Sequence, residues 1–200
     1  SRWYEEALRR RPNYPAAAKQ LVVALFATGQ NAAATRTLEK TPADAIVFTN
    51  LGNAYLRQSN LEPAERALRQ ALRLDPDAPE AQNLLGLARL ERGDTRGAEA
   101  CFREAIRILP ELAPAHNNLA NLLTGAHNYR EAEYHFEKAI QSDPSYADAH
   151  HGYGLLLILM RSYDRAAIEL RQAVRLDPES AEAHSDLADL LAAQGHKESA

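Results

Sequence analysis

Cysteine is nearly absent. Cys101 is the only one in 200 residues, so no intrachain disulfide and no cysteine-based zinc site can form, and one thiol does not identify a compartment. Long apolar runs are lacking too. The longest, Leu155 to Met160, falls far short of the roughly 20 residues a membrane-spanning helix needs, so no membrane insertion is expected. The chain shows neither a cleavable leader nor an initiating Met, as in a processed form or a piece of a longer protein. Excess positive charge is missing: 23 Lys and Arg stand against 27 Asp and Glu, a net charge of −4. A general affinity for nucleic acid is therefore not expected, because that needs clustered cations facing phosphates. The charge is uneven, with Arg9, Arg10 and Arg11 near the start and a mostly acidic stretch from Asp177 to Asp189. Motifs that carry chemistry are also missing. There is no nucleophile elbow, Gly-rich phosphate loop, HExxH or paired CxxC, so no catalytic residue, cofactor or metal is expected and the chain does not read as an enzyme. Its carboxylates fall at i, i+4 to Arg, as in Glu65 and Arg69, the pattern of a solvated, ion-paired helix face.

What is present is a period. Pro42, Pro76, Pro110, Pro144 and Pro178 lie 34 residues apart. Ala64, Ala98, Ala132, Ala166 and Ala200 share that step, as do Ala71, Ala105, Ala139 and Ala173, with Leu68, Phe102, Phe136 and Leu170 between them. Leu51-Gly52, Leu85-Gly86, Leu119-Ala120, Tyr153-Gly154 and Leu187-Ala188 mark the first half of each unit. A fixed period of this length is the mark of a stacked repeat. Within a unit the periodicity is helical: Ala67, Leu68, Ala71, Leu72 and Leu74 recur at i, i+3, i+4 and i+7. Asp-Pro at 75–76, 143–144 and 177–178 ends the second helix, since Pro disfavours helix in the residue before it. Gly93, Gly195, Ser59-Asn60 and His127-Asn128 mark the turns inside hairpins.

These columns resemble the tetratricopeptide repeat. The unit from Ala45 to Ala78 fits best, through Phe48, Leu51, Gly52, Tyr55, Ala64, Leu68, Ala71 and Pro76. The resemblance implies an all-α fold, a right-handed superhelical solenoid of antiparallel helix-turn-helix repeats. The Gly or Ala column would sit where two helices cross closely, so that a large side chain there costs about 1–3 kcal/mol. The chain parses as a second helix of a preceding repeat (1–14), a shortened repeat (15–44) with Leu21 and Val22, full repeats at 45–78, 79–112, 113–146 and 147–180, and a partial repeat at 181–200. It starts and ends within hairpins, as a fragment of a longer array would; the alternative is that the last helix is itself a cap.

In this family the first helices line a concave groove that takes ligands. By resemblance the lining includes Lys19, Thr49, Asn50, Asn53, Arg57, Glu80, Asn83, Asn117, Asn118, Asn121, Asp148, His151, Leu155, Ile158, Leu159, Ser185 and Asp189. The amides of Thr-Asn-Leu-Gly-Asn (49–53) and Asn-Asn-Leu-Ala-Asn (117–121) can each donate and accept, so a row of them can pair with a peptide backbone. That arrangement is similar, in part, to the asparagine ladder of O-linked N-acetylglucosamine transferases; Gln20, Leu84, Gly152 and Asp186 interrupt it. The clamp that holds carboxylate-terminated chaperone tails is not expected, because Glu80 and Leu84, or Asp148 and Gly152, stand where it needs cations. His116, His150 and His184 share the period. Equivalent sites in stacked hairpins lie on the order of 10 Å apart, too far for one zinc ion with bonds near 2 Å, so packing or hydrogen bonding is expected instead. The run Leu155–Met160 reads either as an apolar floor of the groove or as contact with neighbouring hairpins or a partner. The function expected is a protein-interaction scaffold binding an extended or helical peptide. The alternatives are a substrate-recruiting arm of a larger enzyme, such as a glycosyltransferase, and self-association through uncapped ends. Arg far exceeds Lys and Ala is abundant, which points to a bacterial source; a cytoplasmic or periplasmic location is left open.

Overall fold

The computed structural model describes residues 44–198, their side chains as far as 195, and eight earlier residues: 3, 6, 10, 21, 25, 33, 36 and 37. The expectations placed on Lys19, Gln20, Val22 and Pro42 lie outside the described residues. The helices of the described span are α1 (Ala45–Leu56), α2 (Leu61–Leu74), α3 (Pro79–Glu91), α4 (Thr95–Ile108), α5 (Ala113–Gly125), α6 (Tyr129–Ser142), α7 (Ala147–Leu159), α8 (Tyr163–Leu176) and α9 (Ala181–Glu198). Among the described residues there is no strand. The chain divides into two compact units, 1–108 and 109–200, and each is an all-α helical repeat of stacked hairpins.

Local chemistry sets the helix ends. Asp44 caps α1 by accepting from the Val47 N–H at 2.7 Å, and Asp94 does the same for α4 through Gly97 N–H at 2.9 Å; each satisfies one of the orphan amides of a first turn. At the other end of the hairpins, Asp and Pro act together. Pro stops the helix, and the preceding carboxylate accepts from the amide two residues on: Asp75 from Asp77, Asp143 from Ser145, Asp177 from Glu179. The Ser145 hydroxyl adds a 2.6 Å bond to Asp143, and these bonds hold the Asp143 carboxyl below its ordinary range.

The turns inside the hairpins repeat as faithfully as the helices. Ser59, Gly93, His127 and Arg161, each 34 residues from the next, all have φ between +54° and +83°. Only Gly adopts that left-handed conformation without a steric penalty. Substituting Ser59, His127 and Arg161 together by Gly is therefore expected to stabilise the chain by about 1–2 kcal/mol. A denaturant titration that shifts the other way would mean that the side chains matter more, for instance through the 2.9 Å approach of His127 Nδ1 to the Tyr129 hydroxyl.

The glycine columns are where helices touch. A Cβ at Gly86 would stand 2.5 Å from Phe102 Cε1, one at Gly154 2.7 Å from Leu170 Cγ, and one at Gly52 2.6 Å from Leu68 Cδ2. Phe136 reaches onward: it lies 2.7 Å from a Cβ placed at Gly152, on the first helix of the following hairpin. Phe102, Phe136, Leu68 and Leu170 are all fully buried. In the first unit Leu68, Ala71, Ala81, Leu85, Ala88 and Cys101 form one core. Leu21 and Leu25 join Val47, Leu51, Ala54 and Ala67 in another.

Three expectations change. Glu65 does not lie on a solvated face. It is buried, and its carboxylate meets Arg69 at 2.6 Å, Arg92, and Arg89 at 4.0 Å. The last two come from α3 and its C-cap, so the packing of the next hairpin over α2 buries the group and supplies the charges that make burial tolerable. Arg89 also reaches the Gly97 carbonyl and Cys101 Sγ; burial pushes the Cys101 thiol up. Secondly, Gly195 does not form a turn: α9 runs through it to Glu198. Thirdly, the apolar run on α7 divides. Leu156 and Leu157 are fully buried, whereas Leu155 and Leu159 remain 37% and 53% exposed.

Candidate functional site

First helices lie side by side within each unit: α1 beside α3 in one, and α5, α7 and α9 in a row in the other. In the first unit, Asn50 and Asn53 are half-buried on α1 and Arg57 is exposed at its end. Thr49 spends its hydroxyl on its own helix, donating to the Ala45 carbonyl at 2.8 Å. Asn83 on α3 is buried.

In the second unit three first helices share a surface. Asp148, His151, Leu155, Ile158 and Leu159 share one stripe of α7 by helical spacing. Glu182, Ser185, Asp186 and Asp189 share one of α9. The stripes are joined: His151 Nε2 and Asp186 Oδ2 are 2.7 Å apart. Asn121 on α5 closes the other side, with its Oδ1 3.0 Å from where a Cβ of Gly152 would be. Asn121 is exposed, Asn118 and Ile158 are half-buried, and Leu155 and Leu159 are open to solvent. Asn117 differs. It is 4% exposed, it hydrogen-bonds the Tyr146 hydroxyl, and its Oδ1 has no partner. Burial, then the Asp148 charge, pushes the Tyr146 hydroxyl up to about 12, so it stays protonated.

The structure therefore brings Asn118, Asn121, His151, Leu155, Ile158 and Leu159 onto one surface and withdraws Asn83 and Asn117 into the packing. Asp186 was visible in the sequence only as an interruption of the amide row; its role as the partner of His151 depends on two helices 35 residues apart. Tyr153 gave no signal either. It occupies the Leu column, stacks on Phe136 at 5.9 Å, and its hydroxyl donates to Glu133 at 3.0 Å with Glu137 and Arg165 alongside. Burial and the two carboxylates push that hydroxyl far above its ordinary range.

The histidine column is structural. His116, His150 and His184 each place Nε2 against the carbonyl of a proline six residues earlier, at 2.9, 3.2 and 3.1 Å. Nε2–H is the donor in each, and at His116 a neutral ring leaves Nδ1 as an acceptor. At His116 that acceptor meets Nδ1 of His135 at 2.8 Å, so His135 donates. Burial, aided by Lys138, pushes the His116 pKa down against the opposing Pro110 bond. The unfolded chain then binds a proton before the folded chain does. This contribution is intact above about pH 6.5, the ordinary histidine value, and is lost as pH falls through the lower folded value. His116→Phe is expected to flatten the decline in stability between neutral and mildly acid pH. An unchanged slope in denaturation at several pH values would assign the decline to other groups.

A family model described as a tetratricopeptide repeat matches residues 49–113 and 160–200, and a second tetratricopeptide repeat model matches 113–146. No curated protein sequence matches the chain. Among solved structures, the Cut9-Hcn1 hetero-tetramer of the APC/C superposes with a TM-score of 0.83 at 16% identity, covering 95% of this chain but 38% of that one. Pseudomonas aeruginosa pilF gives 0.71 at 25% identity, over 76% of this chain and 69% of that one. YrrB, described as a TPR protein with an unusual peptide-binding site, gives 0.58 at 17% identity over 92% and 96% of the two chains.

Proposed function

Because this chain belongs to the tetratricopeptide repeat family, whose members serve as protein-interaction scaffolds, we propose that it holds a segment of a partner protein against its first helices and carries out no chemistry of its own. The observation that carries this reading is the exposure of Leu155 and Leu159 beside the free amide of Asn121 on one surface of the second unit. Large apolar side chains left open among polar neighbours mark interaction sites more often than isolated ones do. Amides that both donate and accept suit a peptide backbone of any sequence. Asn53 presents the same kind of group on α1 of the first unit. The description of YrrB as peptide-binding fits this use of the scaffold, although the fold alone does not fix a function.

The test places a photo-activated crosslinking residue at Leu159 and, separately, at Ile168, which is 62% exposed but lies on the second helix α8. A partner caught from Leu159 and not from Ile168, and lost in the Leu155→Ser/Leu159→Ser variant, supports the assignment. Capture from Ile168 alone would move the binding face to the second helices.

A further inference from the structure

Charge is distributed unequally between the units. Residues 109–200 hold seven Lys and Arg against fourteen Asp and Glu, a net charge of −7, whereas residues 1–108 hold sixteen against thirteen, a net charge of +3. Within the second unit the imbalance is sharper by layer. Neither α5 nor α7 contains a Lys or Arg, and α9 contains only Lys197 in its last turn. On the second helices several carboxylates have a partner: Glu133 and Glu137 meet Arg165 at 3.0 and 3.8 Å, Glu169 meets the His150 ring at 2.7 Å, and Asp164 accepts from the Gln194 amide at 3.2 Å. On the first helices, Asp148, Glu182 and Asp189 are exposed and have no cation within ion-pair distance among the described residues. Asp186 is tied to His151, on the same surface.

We propose that this face receives a cationic segment with apolar anchors, a stretch of partner protein in which Lys or Arg alternate with large apolar side chains. The proposal rests on the reading that the first-helix face is the binding face, and adds the chemical class of its occupant. Leu155 and Leu159 supply the apolar contact. A neutral or acidic partner covering them would take unmatched carboxylates out of water or repel them, whereas a cationic partner meets them with opposite charge. Exposed carboxylates of one sign also steer a cationic segment toward the face before contact, an effect that salt removes.

The experiment uses the full chain and three short fluorescent peptides with the same Leu and Phe positions and with Lys, Gln or Glu at all others. The Lys peptide is expected to bind about tenfold tighter than the Gln peptide, to weaken by a similar factor at high salt, and to outcompete the Glu peptide entirely. Asp148→Asn/Glu182→Gln/Asp189→Asn, all at exposed positions, should abolish the difference between Lys and Gln while circular dichroism stays unchanged. Equal binding of Lys and Gln peptides, with both lost in Leu155→Ser/Leu159→Ser, would overturn the charge assignment and leave the face intact. Binding of the Lys peptide that ignores both the acidic and the leucine variants would overturn both, as would no binding of any peptide. A mass that rises with concentration in light scattering, reversed by the acidic variant and not by the Lys peptide, would make the occupant a second copy of this chain and equally overturn the proposal.

Discussion

Phe102→Ala is expected to destabilise the first unit by about 3–5 kcal/mol, the usual loss for removing a fully buried ring. The ring is completely enclosed on α4, and the residue it faces, Gly86, has no side chain that could relax into the vacated space. A Cβ at Gly86 would already stand 2.5 Å from Phe102 Cε1, so the helices are in contact through the ring and not through a second side chain. The cavity therefore stays open unless α3 and α4 move together, and their movement would disturb the core of Leu68, Ala71, Ala81, Leu85 and Ala88 packed beside them. Denaturant unfolding followed by circular dichroism measures the loss. The converse change, Gly86→Ala, crowds the same contact and should cost less, about 1–3 kcal/mol. A loss below about 1 kcal/mol for Phe102→Ala would mean that the hairpin can close over the gap.

Leu155→Ser/Leu159→Ser should have the second large effect, on binding and not on folding. Truncating two central apolar anchors costs about 2–3 kcal/mol in a typical interface, which corresponds to a dissociation constant raised roughly 30- to 150-fold. Both side chains are partly exposed in the free chain, at 37% and 53%, so the array should lose at most about 1–2 kcal/mol and stay folded. Leu156 and Leu157 offer the contrast within the same run. Both are fully buried, and Ser at either would unfold the hairpin instead of weakening a partner. Titration of the crosslinked partner against the double variant, with Ile168→Ser as a surface control, measures the effect. An affinity unchanged within about twofold would remove these leucines from the interface.

The hairpins were legible because everything that makes them is local or recurs at one interval. Asp75, Asp143 and Asp177 each end a helix through bonds to an amide two residues away. Ser59, Gly93, His127 and Arg161 turn the chain alike, though only Gly93 announces the conformation by its type. The small residues facing Leu68, Phe102 and Leu170 sit 16 residues before them in the same hairpin, a separation that the sequence repeats unchanged. The site was legible as a set of helix positions and no further. Asn117 and Asn121 occupy successive turns of one helix in the same Asn-rich motif, yet one is buried and the other exposed. Tyr146 arrives over the first, and Gly152, with no side chain, stands opposite the second.

The sequence by itself thus determined the repeat, its period, the helix ends marked by Asp-Pro and the family, since those depend on hydrogen bonds within a turn and on contacts inside one hairpin. Only the tertiary structure decided that Glu65 is buried under Arg89 and Arg92, that His151 meets Asp186, and that Leu155 and Leu159 are left open while Leu156 and Leu157 are not. The physical reason is that burial and charge pairing are set by side chains on neighbouring helices, some 24 to 35 residues away in the examples of Arg89 and Asp186. A period of identical backbones does not say which side chain will face which.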